Sequence, residues 1–472
     1  MAVTYKDEIA PHGASVRAAP WRAFRPRRDE LAALFRLAGP VVVVQVGIML
    51  MGVVDTIMVG HVSPAALAAV ALGNLYFFAC ALFGMGVLLA LDPLVAQALG
   101  AGDEDAAARS VQRAAAIAVV LALGSSLAMA PGGWVFRVLR QPAEVIPVAG
   151  AYVYATIPGL VPFFLFIVLR QSLQALGRMT PIVVAVAAGN AVNLFLNWVL
   201  IYGRLGAPQL GAVGSGWAST LARWFMCALL LATAWPRVGR WLHPLRRDAF
   251  GWVPLRALLG LGFPIGAQFA LEFGAFAAIG VLMGWLGTAA MAGHQVALNL
   301  ASLTFMVPLG VSQTTAVLVG HAIGRDDAAA ARRAAGAGLA TGAGFMALMA
   351  AMFLLVPGPL ARTYSSDAEV LRVAVSLLPI AGIFQVFDGL QVVATAVLRG
   401  AGDTRAPLVV NVLGFWMCGM PISLLLGFRL GTGPVGLWWG LVAGLAAVAL
   451  FLLARVRHRF GGELKRLVLA GH

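Results

Sequence analysis

Leu37-Ala-Gly-Pro-Val-Val-Val-Val-Gln-Val-Gly-Ile-Met-Leu-Met-Gly-Val-Val-Asp-Thr-Ile-Met-Val-Gly60 is a stretch of chain with a single charge, Asp55. A helix needs roughly 20 apolar residues to cross the hydrocarbon core of a bilayer, and this stretch is long enough. Similar runs recur at about 66–97, 110–132, 146–172, 181–203 and 210–235. After a basic break they resume at about 256–284, 288–320, 330–355, 370–398, 407–428 and 434–454. The pattern predicts an all-α integral membrane protein of about twelve transmembrane helices, arranged as two pseudo-symmetric six-helix bundles.

Composition agrees. The chain of 472 residues is 61% hydrophobic and 11% charged, whereas a soluble domain carries roughly 25% charge. The net charge of +14 does not signal nucleic acid, because the arginines sit between apolar runs and form no stripe interleaved with aromatics. Cys80, Cys227 and Cys418 lie far apart within apolar runs and have neither metal nor disulfide spacing. The first apolar run follows a basic stretch (Arg17, Arg22, Arg25, Arg27, Arg28) rather than opening a cleavable signal.

Basic residues set the orientation. With both termini inside, the outside segments hold only Arg137, Arg140, Arg204, Arg362 and Arg429. Arg223 and Arg372 fall within spans, and the rest of the 33 Lys and Arg residues lie in inside segments. This bias places both ends in the cytoplasm. The expected organisation is a flexible cytoplasmic tail over 1–35 that closes in an amphipathic helix, an N-terminal lobe over 36–235 and a cytoplasmic linker over 236–256. A C-terminal lobe over 257–455 and a cytoplasmic tail over 456–472 follow.

The two halves resemble each other at an offset of about 224 residues. Leu-Ala-Gly-Pro (37–40) matches Leu-Gly-Phe-Pro (261–264). Gln97-Ala-Leu-Gly100 matches His321-Ala-Ile-Gly324, and each is followed by acids and then by Ala-Ala-Arg109 or Ala-Arg-Arg333. Leu173 to Pro181 resembles Leu398 to Pro407. Six spans per half make the repeat parallel, a plan suited to alternating access.

Acids within spans are costly, about 2.5–3.5 kcal/mol at a helix centre on insertion scales, and mark ion or proton paths by default. Glu272 and Asp388 lie in the second half, in the seventh and tenth spans. Two carboxylates in one apolar bundle can bind a desolvated cation or share a proton; the bland alternative is a protonated acid bonding helix to helix. Asp55 with Asn193 and Asn197, the asparagines one turn apart on one helix face, could form a polar cluster in the first half or serve as interhelical polar glue. Asp92, beside Pro93, reads as structural. His294 and Gln295 are polar candidates by type alone. Pro40, Pro158, Pro162, Pro264, Pro308 and Pro421 lie in or near spans, where proline kinks a helix.

Together these residues resemble the multidrug and toxic compound extrusion (MATE) family, of the bacterial NorM-type branch. The resembling segments are Val53–Gly60, Pro93–Gly102, Leu196–Gly203, His294–Asn299, Val319–His321 with Gly324, and Asp388–Gly400. The resemblance implies two six-helix lobes around a cleft and a non-enzymatic antiporter in the bacterial inner membrane. It would export bulky amphipathic, often cationic, compounds in exchange for sodium ions or protons by rocker-switch alternating access. It needs no cofactor beyond the coupling ion and acts as a monomer in the lipid bilayer. It assigns Glu272 and Asp388 to the cation site, as the metal ligands if that ion is sodium. Position 384, a tyrosine in the family, is Phe384 here, so a phenolic oxygen is missing. Asp55, Asn193 and Asn197 match a protonatable first-lobe site, and Pro40 matches a proline at which the first helix bends. The alternatives are a lipid-linked precursor flippase, which would carry cationic cleft residues, and a membrane-embedded enzyme, for which no paired metal-binding aspartates or His/Glu zinc spacing appear.

Overall fold

The computed structural model describes residues 18–468, and among them there are helices and no strands. The parts of the two expected tails that fall at residues 1–17 and 469–472 lie outside the described residues. Twelve helices are long and apolar enough to cross a membrane. They are α1 (Arg28–Gly60), α2 (Pro64–Gly100), α3 (Glu104–Met129), α4 (Ile146–Ala175), α5 (Thr180–Tyr202) and α6 (Gly211–Leu242), then α7 (Trp252–Trp285), α8 (Thr288–Gly324), α9 (Ala328–Leu355), α10 (Ala368–Gly400), α11 (Arg405–Arg429) and α12 (Gly433–Arg459). Their outer faces carry bare apolar side chains such as Leu127, Val120 and Phe451, in amounts that water would not tolerate and lipid does.

Local chemistry sets the helix starts. Ser63 Oγ accepts from the Ala66 amide at 3.0 Å to cap α2. Asp103 and Asp327, one repeat length apart, cap α3 and α9 in the same way, accepting from Ala106 N at 2.9 Å and Ala330 N at 2.8 Å. The acids that follow Gly100 and Gly324 in the repeat therefore have a structural job, satisfying amides a helix start leaves open. In α11 two stretches, Val412–Gly419 and Leu425–Arg429, are π-helical, a local widening that is rare and concentrates at functional sites.

The described chain folds into two compact units. One, the C-unit, joins the segment up to Val42 with Ala267–Leu467; the other, the N-unit, is Val43–Gly266. The boundaries therefore fall inside α1 and α7, not in the 236–256 linker. Glycine explains where each helix is held. A Cβ on Gly310 of α8 would lie 2.6 Å from a Val42 methyl carbon, so the start of α1 packs tightly against the C-unit. A Cβ on Gly86 of α2 would lie 2.6 Å from the Gly266 Cα, so the start of α7 packs against the N-unit. Gly86 and Gly310, like Val42 and Gly266, are one repeat length apart. Lipid offers no hydrophobic drive between helices, so such close approaches supply the packing energy.

Residues 18–35 are not a loose tail. Trp21–Phe24 forms a short 3-10 turn, the Ala19 amide donates to the Arg457 carbonyl at 2.9 Å, and Phe24 is buried beside Phe460. The helix α1 already begins at Arg28, the last eight residues of the expected tail being drawn in because Leu34 and Ala38 join the C-unit core with Ile279, Val319 and Val397. Most of the 236–256 segment is likewise docked: Gln112 Nε2 donates to the Trp241 carbonyl at 2.8 Å, Arg113 Nε donates to the Ala249 carbonyl at 3.0 Å, and Arg246 pairs with Asp105 at 2.5 Å.

Candidate functional site

In the C-unit, α10 presents Phe384, Asp388 and Gln391 at spacings of four and three residues, which puts them on one helix face. Asp388 is buried, and the α7 residue Glu272 is near enough for the two carboxyl charges to repel. Gln391 donates a side-chain hydrogen bond to Glu272, while its own Oε1 is buried without a partner. The indole of Trp416, in the π-helical part of α11, donates to the Leu271 carbonyl at 3.2 Å and so fixes the backbone next to Glu272. The two acids thus meet on facing helices, where holding both as anions at once is unfavourable and one bound proton or monovalent cation relieves them.

Phe384 takes part only as a ring. It is 3% exposed, with its centroid 6.0 Å from that of Phe276 and 5.7 Å from that of Trp438. Trp438 in turn donates its indole N–H to His294 Nδ1 at 3.2 Å. That bond assigns the acceptor lone pair to Nδ1, so His294 belongs to an aromatic packing layer with Phe384 rather than to the carboxylate pair. Gln295, the next residue, is exposed on another face of α8.

In the N-unit the three expected residues come together. Asn197 Nδ2 donates to Asp55 Oδ1 at 2.6 Å and to Asn193 Oδ1 at 3.1 Å. Ser219 of α6, absent from the sequence reading, donates to Asp55 Oδ2 at 2.5 Å and accepts from Asn193 Nδ2 at 3.4 Å. Asp55, Asn193, Asn197 and Ser219 are all buried and form a network joining α1, α5 and α6, in which Asn197 Oδ1 is left without a partner. Nothing marks Ser219 out by type, since serine is common in membrane helices; its spacing from Asp55 is long-range and cannot be seen in one sequence.

Asp92 lies apart from both clusters. It is buried and its charge reaches Arg170, whose Nη1 donates to Gln45 Oε1 at 2.8 Å. Pro40 sits inside α1, just before the point at which that helix leaves the C-unit.

The MatE family model matches residues 40–199 and again 264–425, one match in each half of the repeat. The chain belongs to the MATE family of multidrug efflux transporters, and it is a multi-pass membrane protein rather than an enzyme. It is 36% identical over 459 residues to the multidrug resistance protein PmpM of Pseudomonas aeruginosa, covering 93% of this chain and 94% of that one. It is 34% identical over 437 residues to the multidrug resistance protein MdtK of Pectobacterium atrosepticum, covering 91% and 95%. Its fold is similar to that of the eukaryotic MATE transporter AtDTX14, with a TM-score of 0.83 at 21% identity over 92% of this chain and 99% of that one.

Proposed function

We propose that this protein is an antiporter of the bacterial inner membrane that exports amphipathic, often cationic, small molecules, and that Glu272 and Asp388 bind the ion whose inward movement drives export. The observation that carries the reading is the meeting of a buried acid on α10 with a half-buried acid on α7, with no basic group among the described residues whose charge reaches either one. Both termini are cytoplasmic, following the distribution of arginine, and one chain is the working unit. Alternating access of the rocker-switch kind links the two events: a cation on the acid pair weakens substrate binding, and linkage requires the reverse effect of equal size.

The coupling ion is a proton. Phe384 fills its position with an aromatic ring stacked on Phe276 and Trp438 and brings no oxygen to a metal, whereas two facing carboxyls hold a proton without further ligands. One observation favours sodium instead, the partnerless Gln391 Oε1 beside Glu272, since oxygen donors suit a hard cation. Efflux by purified protein in liposomes separates them. A pH gradient in sodium-free buffer should drive export, and a sodium gradient with the pH gradient collapsed should not. Asp388→Asn should abolish the export that the pH gradient drives. Undiminished coupled export by that variant would remove the pair from the mechanism.

A further inference from the structure

Arg223 is a cation in a membrane-spanning helix, and the acid pair of the C-unit does not explain it. It lies on α6 one helical turn after Ser219, the residue that donates to Asp55 at 2.5 Å, and residues four apart on a helix are neighbours on one face. Its guanidinium carbon stands 4.1 Å from the ring centroid of Phe77 and 5.5 Å from that of Phe163. Phe77 is fully buried. Arginine Nη1 is buried without a hydrogen-bond partner. Asp55 and the Tyr152 phenol are the ionisable groups whose charges reach it. The Tyr152 hydroxyl is already committed to Asn74 Oδ1 at 2.9 Å, and both Asp55 oxygens are taken up by Asn197 and Ser219.

Two consequences follow from charge alone. With Asp55 ionised, the Asp55–Arg223 pair is neutral and does not attract a monocation by net charge. With Asp55 protonated or paired to a cation, it is positive and repels one. The aromatic pair satisfies the face of the guanidinium but leaves Nη1 without an acceptor, and a buried donor without an acceptor is unfavourable until one arrives. A planar fork of N–H groups is the geometry that reads a carboxylate.

We propose that Arg223 selects substrates by charge in the N-unit: it balances Asp55 and offers its unpaired Nη1 to a carboxylate on the transported molecule. The favoured class is the amphiphile that carries an acid group as well as its amine. This rests on the export reading above, and the test keeps the two apart.

Rhodamine 110, a zwitterion with a free carboxylate, and rhodamine 123, its methyl ester and a monocation, differ only at the group in question. Fluorescence polarisation on purified protein gives the affinity for each, and vesicle efflux gives their export. Wild-type protein should bind the free acid at least as tightly as the ester. Arg223→Gln should weaken the free acid relative to the ester by about tenfold, equivalent to 1.4 kcal/mol. Arg223→Lys keeps the charge and loses the fork, so it should shift the same ratio severalfold; it stands as the second variant if Arg223→Gln yields no folded protein. An acid-to-ester ratio unchanged in either folded variant, or a wild type that prefers the ester severalfold, overturns the assignment of Arg223. Wild-type vesicles that export neither dye overturn the export reading instead.

Discussion

Replacing Gly86 by alanine tests the close approach that holds the start of α7 to the N-unit. The new Cβ would sit 2.6 Å from the Gly266 Cα, 2.8 Å from the Gly266 amide nitrogen and 2.9 Å from the Ile265 carbonyl oxygen. Carbon atoms pack at about 3.5–4.0 Å, so α2 and α7 must part by roughly 1 Å, and all three obstacles are backbone that cannot rotate away. Overpacking of this kind costs about 1–3 kcal/mol. The repeat-related Gly310→Ala meets a Val42 methyl carbon at 2.6 Å, but its backbone neighbours begin at 3.1 Å, and a valine rotamer change relieves most of the clash. Gly86→Ala should therefore lower the thermal midpoint of detergent-purified protein, followed by loss of the monodisperse peak in gel filtration, by more than Gly310→Ala does. The more strongly affected protein should also lose coupled export, because Glu272 lies six residues beyond Gly266, about 9 Å along the same helix. Equal stability of the two variants, or the reverse order, would refute the argument that the backbone contact between α2 and α7 anchors that helix.

Ser219→Ala and Asn197→Ala each remove one of the two side-chain donors to Asp55, and each should cost about 1.5–3 kcal/mol, the worth of a hydrogen bond to a charged group. Because the partners share one carboxylate, the double variant should depart from additivity, a result that a thermal-stability cycle reads directly. Phe384→Tyr restores an oxygen one turn before Asp388 and should add a sodium-stimulated component to export; an ion dependence identical to wild type would show that this position does not choose the ion. Trp438→Phe deletes the indole N–H that His294 accepts and leaves a void in a fully buried position, so in melting experiments it should cost more than the roughly 0.5–1.5 kcal/mol of the hydrogen bond alone and leave the coupling ion unchanged.

Periodic and local features were legible in the sequence, and long-range ones were not. Twelve spans follow from run length, and the caps at Asp103 and Asp327 follow from acids placed where helices restart. The Asp55, Asn193 and Asn197 cluster could be anticipated because unpaired polar groups in an apolar bundle must find one another. Ser219 and Gln391 could not, since each becomes distinctive only through a partner far away in the chain. The unit boundaries were not legible in the same way. Hydropathy breaks at 236–256, so a reading by composition divides the chain there, yet packing divides it within α1 and α7. The signal was present in the repeated Gly and Pro of Leu-Ala-Gly-Pro40 and Leu-Gly-Phe-Pro264, which mark where two equivalent helices change partners. The same logic sharpens the view of the acid pair. Glu272 follows the α7 boundary by five residues from Ala267, so it sits at the start of the C-unit segment of that helix, while Asp388 lies deep within α10. Of the two carboxyls, Glu272 is on the helix that crosses between units and Asp388 on one that does not, which gives the pair one anchored member and one that any rearrangement of α7 must move.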